Sequence, residues 1–191
     1  MPGNAWGRWP NGSEAQLRRY WPDVQAAADA AGISDHADVL AAICIHETGM
    51  RAVRGGVGRR MWGACQVNWR VWGDMLRTHG LDDRRQLVGK GAGKVPAGLY
   101  AGALVLADLH VLQWLDIAPA LCAYGVGWRG REWTGCTYSF DVMANVDRVH
   151  LIVRRMVLER WLLRGAIVAG CAAGVGACVA HLLIDRHGLV R

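Results

Sequence analysis

The chain has 191 residues and a formal net charge of +6, and nearly all of its basic side chains are arginines. This length allows one compact domain of about 150 residues with a sizeable core, followed by a short second element. The arginines are spread along the chain and accompany no recognised nucleic-acid motif, so the sequence predicts a basic surface that attracts anionic partners and no specific nucleic-acid recognition.

The N-terminal part predicts an arm and two helices. Residues 1–13 are rich in Gly, Pro, Asn and Trp and form an extended arm, without the basic start and continuous apolar stretch of a secretory signal. Residues 14–31 have the apolar spacing of an amphipathic helix. A second helix begins near Ser34 or Asp35, either of which can act as its N-cap, and Gly49 offers a C-terminal stop.

Glu47 lies near the C-terminal end of this second helix and is the main candidate for a catalytic group. It follows Leu40 by seven residues and Ile43 by four, which places it on the apolar face. Burial and the negative end of the helix dipole both disfavour a carboxylate anion, so we expect a raised pKa and a proton held near neutral pH. A general acid needs this property. The alternative is that Glu47 caps the helix or pairs with Arg51 or Arg54.

The rest of the chain also predicts helices separated by loops. Helical patterns cover Trp69–Thr78, the stretch from Pro96 to about Asp116, the stretch from Pro119 to Tyr124, and a last helix capped by Ser139 with a stripe at Val142, Val146, Val149, Val153 and Met156. Loops are predicted at 51–60 and 89–93. Since strand signals are nearly absent, the sequence predicts a mainly α fold.

Three short motifs lie on this helical framework. They are Glu-Thr-Gly at 47–49, Gly-Ala-Cys-Gln at 63–66 and Ala-Tyr-Gly-Val-Gly at 123–127. In order and rough spacing they resemble the soluble lytic transglycosylases and goose-type lysozymes, in which the pattern is Glu-Ser-Gly, then Gly-Leu-Met-Gln, then Ala-Tyr-Asn-x-Gly. The resemblance covers roughly residues 33–158. It implies a lysozyme-like helical domain that binds and cleaves the glycan strands of peptidoglycan.

The resemblance also implies roles for individual residues. Glu47 is the single catalytic acid and base, Gln66 lines the glycan cleft, and the Tyr124 hydroxyl hydrogen-bonds and orients the Glu47 carboxyl. Thr48 keeps the hydroxyl of the family serine and joins the substrate-binding candidates. Gly125 stands where the family carries asparagine, which removes an amide that would help hold the sugar.

Two tryptophans complete the substrate-binding candidates. The chain has ten tryptophans and one phenylalanine. Trp62 directly precedes the motif at 63–66 and Trp128 directly follows the motif at 123–127, where flat indoles can stack on sugar rings. Core packing is the alternative for both.

The sequence predicts no cofactor and no metal site. His46 and Glu47 match the start of a zinc-binding H-E-x-x-H helix, but Met50 fills the place of the second histidine.

The number of carboxylates in the site determines the expected chemistry. A lone Glu47 suits a lytic transglycosylase, which cleaves the MurNAc-GlcNAc bond and forms a 1,6-anhydro product without consuming water. If Asp74, Asp82 or Asp83 folds into the cleft as a second carboxylate, the protein is a hydrolytic lysozyme instead. A third alternative is a catalytically inactive structural or channel component that retains the wall-binding fold.

The six cysteines lie singly in apolar contexts, without the C-x-x-C pairs of a zinc site or the density of a disulfide scaffold. Their expected role is that of buried small hydrophobes. The resemblance adds that Cys44 and Cys65 lie close together if the chain has the family fold.

The C-terminal part predicts membrane contact. Residues 165–184 carry no formal charge and are long enough to span a hydrocarbon core, and Gly170 and Gly174 have the spacing of closely packed membrane helices, so self-association is possible. The expected organisation has four segments: an arm at 1–13, a lysozyme-like domain at 14–158, a transmembrane helix at 159–185 and a basic tail at 186–191.

The expected location follows from the flanking charges. Arginines are more numerous before the apolar stretch than after it, which favours a catalytic domain on the cytoplasmic side, away from peptidoglycan. A bacteriophage particle would explain how a domain with this charge bias reaches peptidoglycan. The particle delivers the protein to the host periplasm and inner membrane, where the protein opens the wall for genome passage. Other virion proteins are then expected partners.

Overall fold

The computed structural model of the chain describes residues 9–55, 60–89, 91, 93–109, 116–126 and 136–186, and within these ranges the side chains of 126 and 165–186 are not described. The helices are α1 (Ser13–Ala30), α2 (Ala37–Thr48), α3 (Trp69–Thr78), α4 (Lys94–Ala107), α5 (Ile117–Val126) and α6 (Thr137–Arg186). The strands are β1 (Arg54–Gly55), β2 (Met61–Trp62) and β3 (Val67–Asn68). The prediction of a mainly α fold is confirmed. The contacts divide the chain into two units, 1–152 and 153–191.

The core of the first unit is built by α1, α2 and α4. Helix α1 packs against both of the others, and α2 also contacts α4. Helices α2 and α4 are apolar on nearly every face, and seven consecutive residues of α2, from Val39 to Ile45, are buried. A helix that is hydrophobic all round belongs in the interior, and each fully buried Leu or Ile side chain contributes roughly 1.5–3 kcal/mol.

A small antiparallel sheet interrupts the predicted loop at 51–60. Its strand order is β1-β2-β3, and the register pairs Trp62 with Arg54 on one side and with Val67 on the other. Each strand has two residues, which is too short to show the alternation that identifies a strand in a sequence. The sheet holds the turn at 63–66, which carries the glutamine motif, against the helical core.

Two glycines of α4 allow this turn to approach the helix closely. A Cβ atom on Gly98 would lie 2.7 Å from the Ala64 backbone nitrogen, and a Cβ on Gly102 would lie 2.6 Å from Cys65 Sγ. Any larger residue at either position would push the turn away, because real Cβ contacts are not this short. The turn at 63–66 is therefore fixed between the sheet and α4.

The first part of α6 runs antiparallel to α2. Tyr138 near the start of α6 contacts Glu47 near the end of α2, and His150 further along α6 contacts Asp38 near the start of α2. The predicted stripe on α6 is largely buried, since Val142, Val146, Val149 and Met156 are buried and Val153 is half-buried. Ser139, the predicted cap, lies just inside the helix, where its hydroxyl donates to the Cys136 carbonyl at 2.9 Å.

The described part of the second unit is the remainder of α6. The helix has 50 residues in all, and no helix among the described residues combines the length and hydropathy that a membrane crossing requires. The transmembrane helix predicted at 159–185 is therefore not supported. The side chains of 165–184, on which that prediction depends, lie outside the described residues.

Two disulfide bonds cross-link the first unit, joining Cys44 to Cys65 and Cys122 to Cys136. The prediction of unpaired buried cysteines is wrong for these four residues, although the proximity implied for Cys44 and Cys65 is confirmed. The bonds span 21 and 14 residues. Each bond closes a loop of this size and adds about 3 kcal/mol to the free energy of unfolding, because it restricts the conformations of the unfolded chain.

Candidate active site

Glu47 lies in the last turn of α2 and is half-buried. The helix ends as predicted at Gly49, which has a φ of 64° and donates its N–H to the Ile45 carbonyl at 2.9 Å. This left-handed cap suits glycine, which has no Cβ to clash. Glu47 is therefore held by a rigid helix one turn beyond Ile43 and close to the helix terminus.

Tyr138 is the hydrogen-bond partner of Glu47. Its hydroxyl donates to Glu47 Oε1 at 2.8 Å across 91 residues of sequence. The ring of Tyr138 also meets the ring of His46 edge-on, with 5.1 Å between the centroids. Because Tyr138 is fixed on both its ring and its hydroxyl, it fixes the orientation of the Glu47 carboxyl.

Tyr124 lies in the same cluster, but its hydroxyl has a different partner from the one expected. It donates to the backbone carbonyl of Cys65 at 2.8 Å, so the hydrogen bond expected from Tyr124 to Glu47 is made by Tyr138 instead. Burial raises the pKa of Tyr124 well above its usual value, and the negative charge of Glu47 raises it further. Burial is also the largest cause that raises the pKa of Tyr138, followed by the negative charge of Glu47, the charge of Tyr124 and the hydrogen bond to Glu47. Both phenols are therefore neutral at physiological pH.

The two disulfides lie beside these three side chains. Cys122 and Cys136 precede Tyr124 and Tyr138, respectively, by two residues, so one bond ties together the chain segments that carry both tyrosines. The other bond joins Cys44, one helical turn before Glu47, to Cys65, whose carbonyl accepts the Tyr124 hydrogen bond. The cross-links thus constrain the backbone around every member of the cluster.

Thr48 is placed to support the site rather than to contact a sugar. Its hydroxyl donates to the Ala64 carbonyl at 2.6 Å and accepts from the Arg51 backbone N–H at 3.0 Å. These bonds connect the end of α2 to the turn at 63–66. A hydroxyl so engaged has little capacity left for a ligand.

Gln66 is likewise occupied by the protein. Its side chain is buried, and Nε2 donates to the carbonyls of Gly63 at 2.9 Å and Val53 at 3.1 Å. Both amide hydrogens are used, and a Cβ on Gly55 would collide with the amide oxygen. Gln66 therefore closes the sheet and its turn, and the structure does not place its amide in a cleft.

Trp62 is only 5% exposed, so its indole has no free face for sugar stacking. The guanidinium groups of Arg54 and Arg84 lie over the ring at 4.4 Å and 4.8 Å from the centroid. This cation–π arrangement corresponds to the core-packing alternative. Trp128 lies outside the described residues.

The aspartates considered as a second carboxylate do not join the cluster. The Asp74 side chain is exposed and pairs with Arg77, and Asp83 caps the short helix at Arg84–Leu87. Asp82 is exposed. Among these three candidates, none contributes a second acid beside Glu47.

Sequence reasoning missed Tyr138 and the disulfide between Cys122 and Cys136. One signal for both was present, because Cys-Ala-Tyr at 122–124 and Cys-Thr-Tyr at 136–138 repeat the same spacing. The chemical result is a half-buried carboxyl with a neutral phenol donor on one oxygen.

Comparison with known proteins adds no family assignment: no protein-family model, no curated protein and no solved structure matches the chain.

Proposed function

We propose that this protein is a peptidoglycan lytic transglycosylase in which Glu47 is the catalytic acid and base. The observation that carries the proposal is the Glu47–Tyr138 pair, in which the hydroxyl of a half-buried tyrosine holds a half-buried carboxyl. The resemblance of the three motifs to lytic transglycosylases supplies the substrate class. Tyr124 and the turn at 63–66 gather around the carboxyl, so the segments that carry the motifs are neighbours in space.

In the proposed reaction, Glu47 donates its proton to the glycosidic oxygen between N-acetylmuramic acid and N-acetylglucosamine. The resulting carboxylate is stabilised by the hydrogen bond from Tyr138, because a donor to the charged form favours that form. The same carboxylate then accepts the proton of the muramoyl C6 hydroxyl as that oxygen closes the 1,6-anhydro ring. Glu47 ends the cycle protonated, and no water is consumed.

The preference for a lyase over a hydrolase rests on the positions of the three aspartates. Glycosidases that use water as the acceptor generally place two carboxylates across the scissile bond. Asp74 and Asp83 are engaged elsewhere, and Asp82 is exposed. A single acid suits an internal nucleophile such as the C6 hydroxyl.

The test is to incubate the full-length chain with purified peptidoglycan and to identify the products by mass spectrometry. We expect 1,6-anhydromuropeptides from the wild type, their loss in Glu47→Gln, and no change in the control Asp82→Asn, since Asp82 is exposed. Reducing-end products would establish the hydrolytic alternative. Intact glycan with the wild-type protein would refute an enzymatic role and favour the structural component.

The biological setting stays a prediction from the sequence. We propose delivery by a bacteriophage particle to the host envelope, where the protein acts on the wall. Mass spectrometry of purified particles tests this setting, and detection of the chain only in uninfected bacterial envelopes would refute it.

A further inference from the structure

A surface cavity of about 390 Å³ lies beyond the C-terminal end of α2, apart from the Glu47–Tyr138 pair. Three parts of the chain form it: α1, the segment just after α2, and the segment that leads into α4. The residues that matter for its chemistry are Gln16, Arg19, Tyr20, Met50 and Arg51. The cavity is open to solvent and lined mainly by polar groups.

Arg51 is held in place at the edge of this cavity. Its Nε donates to the Thr48 carbonyl at 3.0 Å, and its backbone N–H donates to the Thr48 hydroxyl at the same distance. The residue is therefore held by one side-chain bond and one backbone bond before any ligand arrives. Such preorganisation reduces the entropy that a ligand must overcome on binding.

The second cation is Arg19 on α1. Its guanidinium carbon lies 5.1 Å from the centroid of the Tyr20 ring, so a cation–π contact orients it as well. Among the described residues, neither Arg19 nor Arg51 has a carboxylate within salt-bridge distance. Two oriented guanidinium groups thus share one cavity without an anionic partner from the described part of the protein.

The backbone at Met50 is also unusual. Met50 is fully buried and has a φ of 62°, directly after the left-handed Gly49. A left-handed backbone conformation is rare for residues other than Gly, Asn and Asp. Other residues that adopt this conformation occur most often at functional and ligand-binding sites. This geometry turns the chain after α2 and brings Arg51 to the cavity.

We propose that this cavity is an anion subsite that binds a carboxylate of the stem peptide on the glycan strand, an inference that rests on the proposed function. Guanidinium groups bind carboxylates through paired, charge-assisted hydrogen bonds. Arg51 is four residues after Glu47, so their backbones are at most about 14 Å apart. The muramoyl sugar at the scissile bond carries the peptide, and this distance is within the reach of a few amino acids.

The experiment measures binding of a free stem peptide to full-length Glu47→Gln protein by calorimetry, which separates binding from cleavage. The probe is the tetrapeptide L-Ala-γ-D-Glu-meso-diaminopimelate-D-Ala with both amino groups acetylated, and its fully amidated form, acetylated in the same way, is the counterpart without charge. We expect the acid form to bind, and Arg51→Gln to weaken it about 10- to 100-fold. Arg19→Gln should weaken binding as well, and the exposed control Arg77→Gln should not.

The outcomes separate this inference from the proposed function. Equal affinity for acid and amidated peptides, or unchanged affinity in both Arg51→Gln and Arg19→Gln, would overturn the subsite. Displacement of the peptide by equimolar inorganic phosphate would also overturn it, in favour of a phosphate-bearing ligand. Peptide binding together with uncleaved peptidoglycan would refute the lyase while leaving the subsite in place. Measuring the melting temperature of each variant tests whether it remains folded.

Discussion

The ring of Tyr138 packs directly on the backbone of Gly125. A Cβ atom on Gly125 would lie 2.6 Å from both Cδ1 and Cδ2 of Tyr138 and still closer to Cγ. No side chain at position 125 can coexist with this ring position. The absence of a side chain at position 125, where lytic transglycosylases carry asparagine, is therefore explained by the position of the Tyr138 ring in this chain. Gly125 is not by itself a sign of lost activity.

We predict that Gly125→Ala displaces Tyr138 and weakens its hydrogen bond to Glu47. Peptidoglycan cleavage should fall at least about 10-fold, since a hydrogen bond to a charged group is worth about 1.5–3 kcal/mol. Gly125→Asn, which introduces the asparagine of the lytic transglycosylase motif, should be equally harmful. The matched control is Gly93→Ala, because a Cβ there meets nothing within 4 Å and the φ of Gly93 is −84°.

A double-mutant cycle tests the cause of this effect. In a Tyr138→Ala background the ring is absent, so Gly125→Ala should have little further effect on the cleavage rate. Additive losses would show that Gly125 acts through something other than Tyr138.

The two tyrosines should differ when each is replaced by phenylalanine. Tyr138→Phe removes the donor to Glu47, so we predict that cleavage falls about 10- to 100-fold. Tyr124→Phe removes the bond to the Cys65 carbonyl and should mainly cost about 1 kcal/mol of folding stability. Cleavage rates and thermal unfolding of both variants provide the measurement. A larger loss of activity in Tyr124→Phe would reassign the orienting role to Tyr124.

Reduction of the disulfides should destabilise the first unit and abolish activity. Each bond is worth about 3 kcal/mol, and both lie beside the Glu47 cluster. The double variant Cys122→Ala/Cys136→Ala should lower the melting temperature and free the segments that carry Tyr124 and Tyr138. Thiol titration of the denatured, unreduced chain should find no more than two free thiols among the six cysteines. More than two would contradict the pairing.

The raised pKa values of Tyr124 and Tyr138 predict how stability depends on alkaline pH. The stabilising effect of a neutral buried phenol is fully present below the unfolded pKa of about 10. Above that pH the unfolded chain releases protons that the folded chain retains, so the free energy of unfolding decreases as the pH rises. Denaturant unfolding between pH 8 and pH 11 measures the decrease, which should be smaller in Tyr138→Phe. An unchanged slope in that variant would mean that Tyr138 ionises freely in the folded protein.

Local patterns in the sequence predicted the local structure well. The bounds of α3 and the stop of α2 at Gly49 match the prediction, whereas Glu47, expected on the buried face of α2, is only half-buried. Helix periodicity and capping act over a few residues, so they can be recognised without knowledge of the fold. The sheet was missed because its strands have two residues each.

The composition of the site could not be predicted in the same way. Tyr138 meets Glu47 across 91 residues, and Trp62 is enclosed by Arg54 and Arg84 from separate segments. Such contacts depend on how distant segments of the chain pack together, so the local spacing of apolar residues does not predict them. Thr48 and Gln66 carry the polar groups expected of ligand contacts, but neighbouring backbone carbonyls accept their hydrogen bonds.

The cross-link between the segments of Tyr124 and Tyr138 links the chemistry of Glu47 to the redox state of its surroundings. A reducing cytosol keeps cysteines as thiols, so a newly synthesised chain there would hold the two phenols on independent helices. Oxidation outside the cytosol would complete the arrangement. Under the proposed function, the compartment of the chain would then determine when Glu47 becomes active.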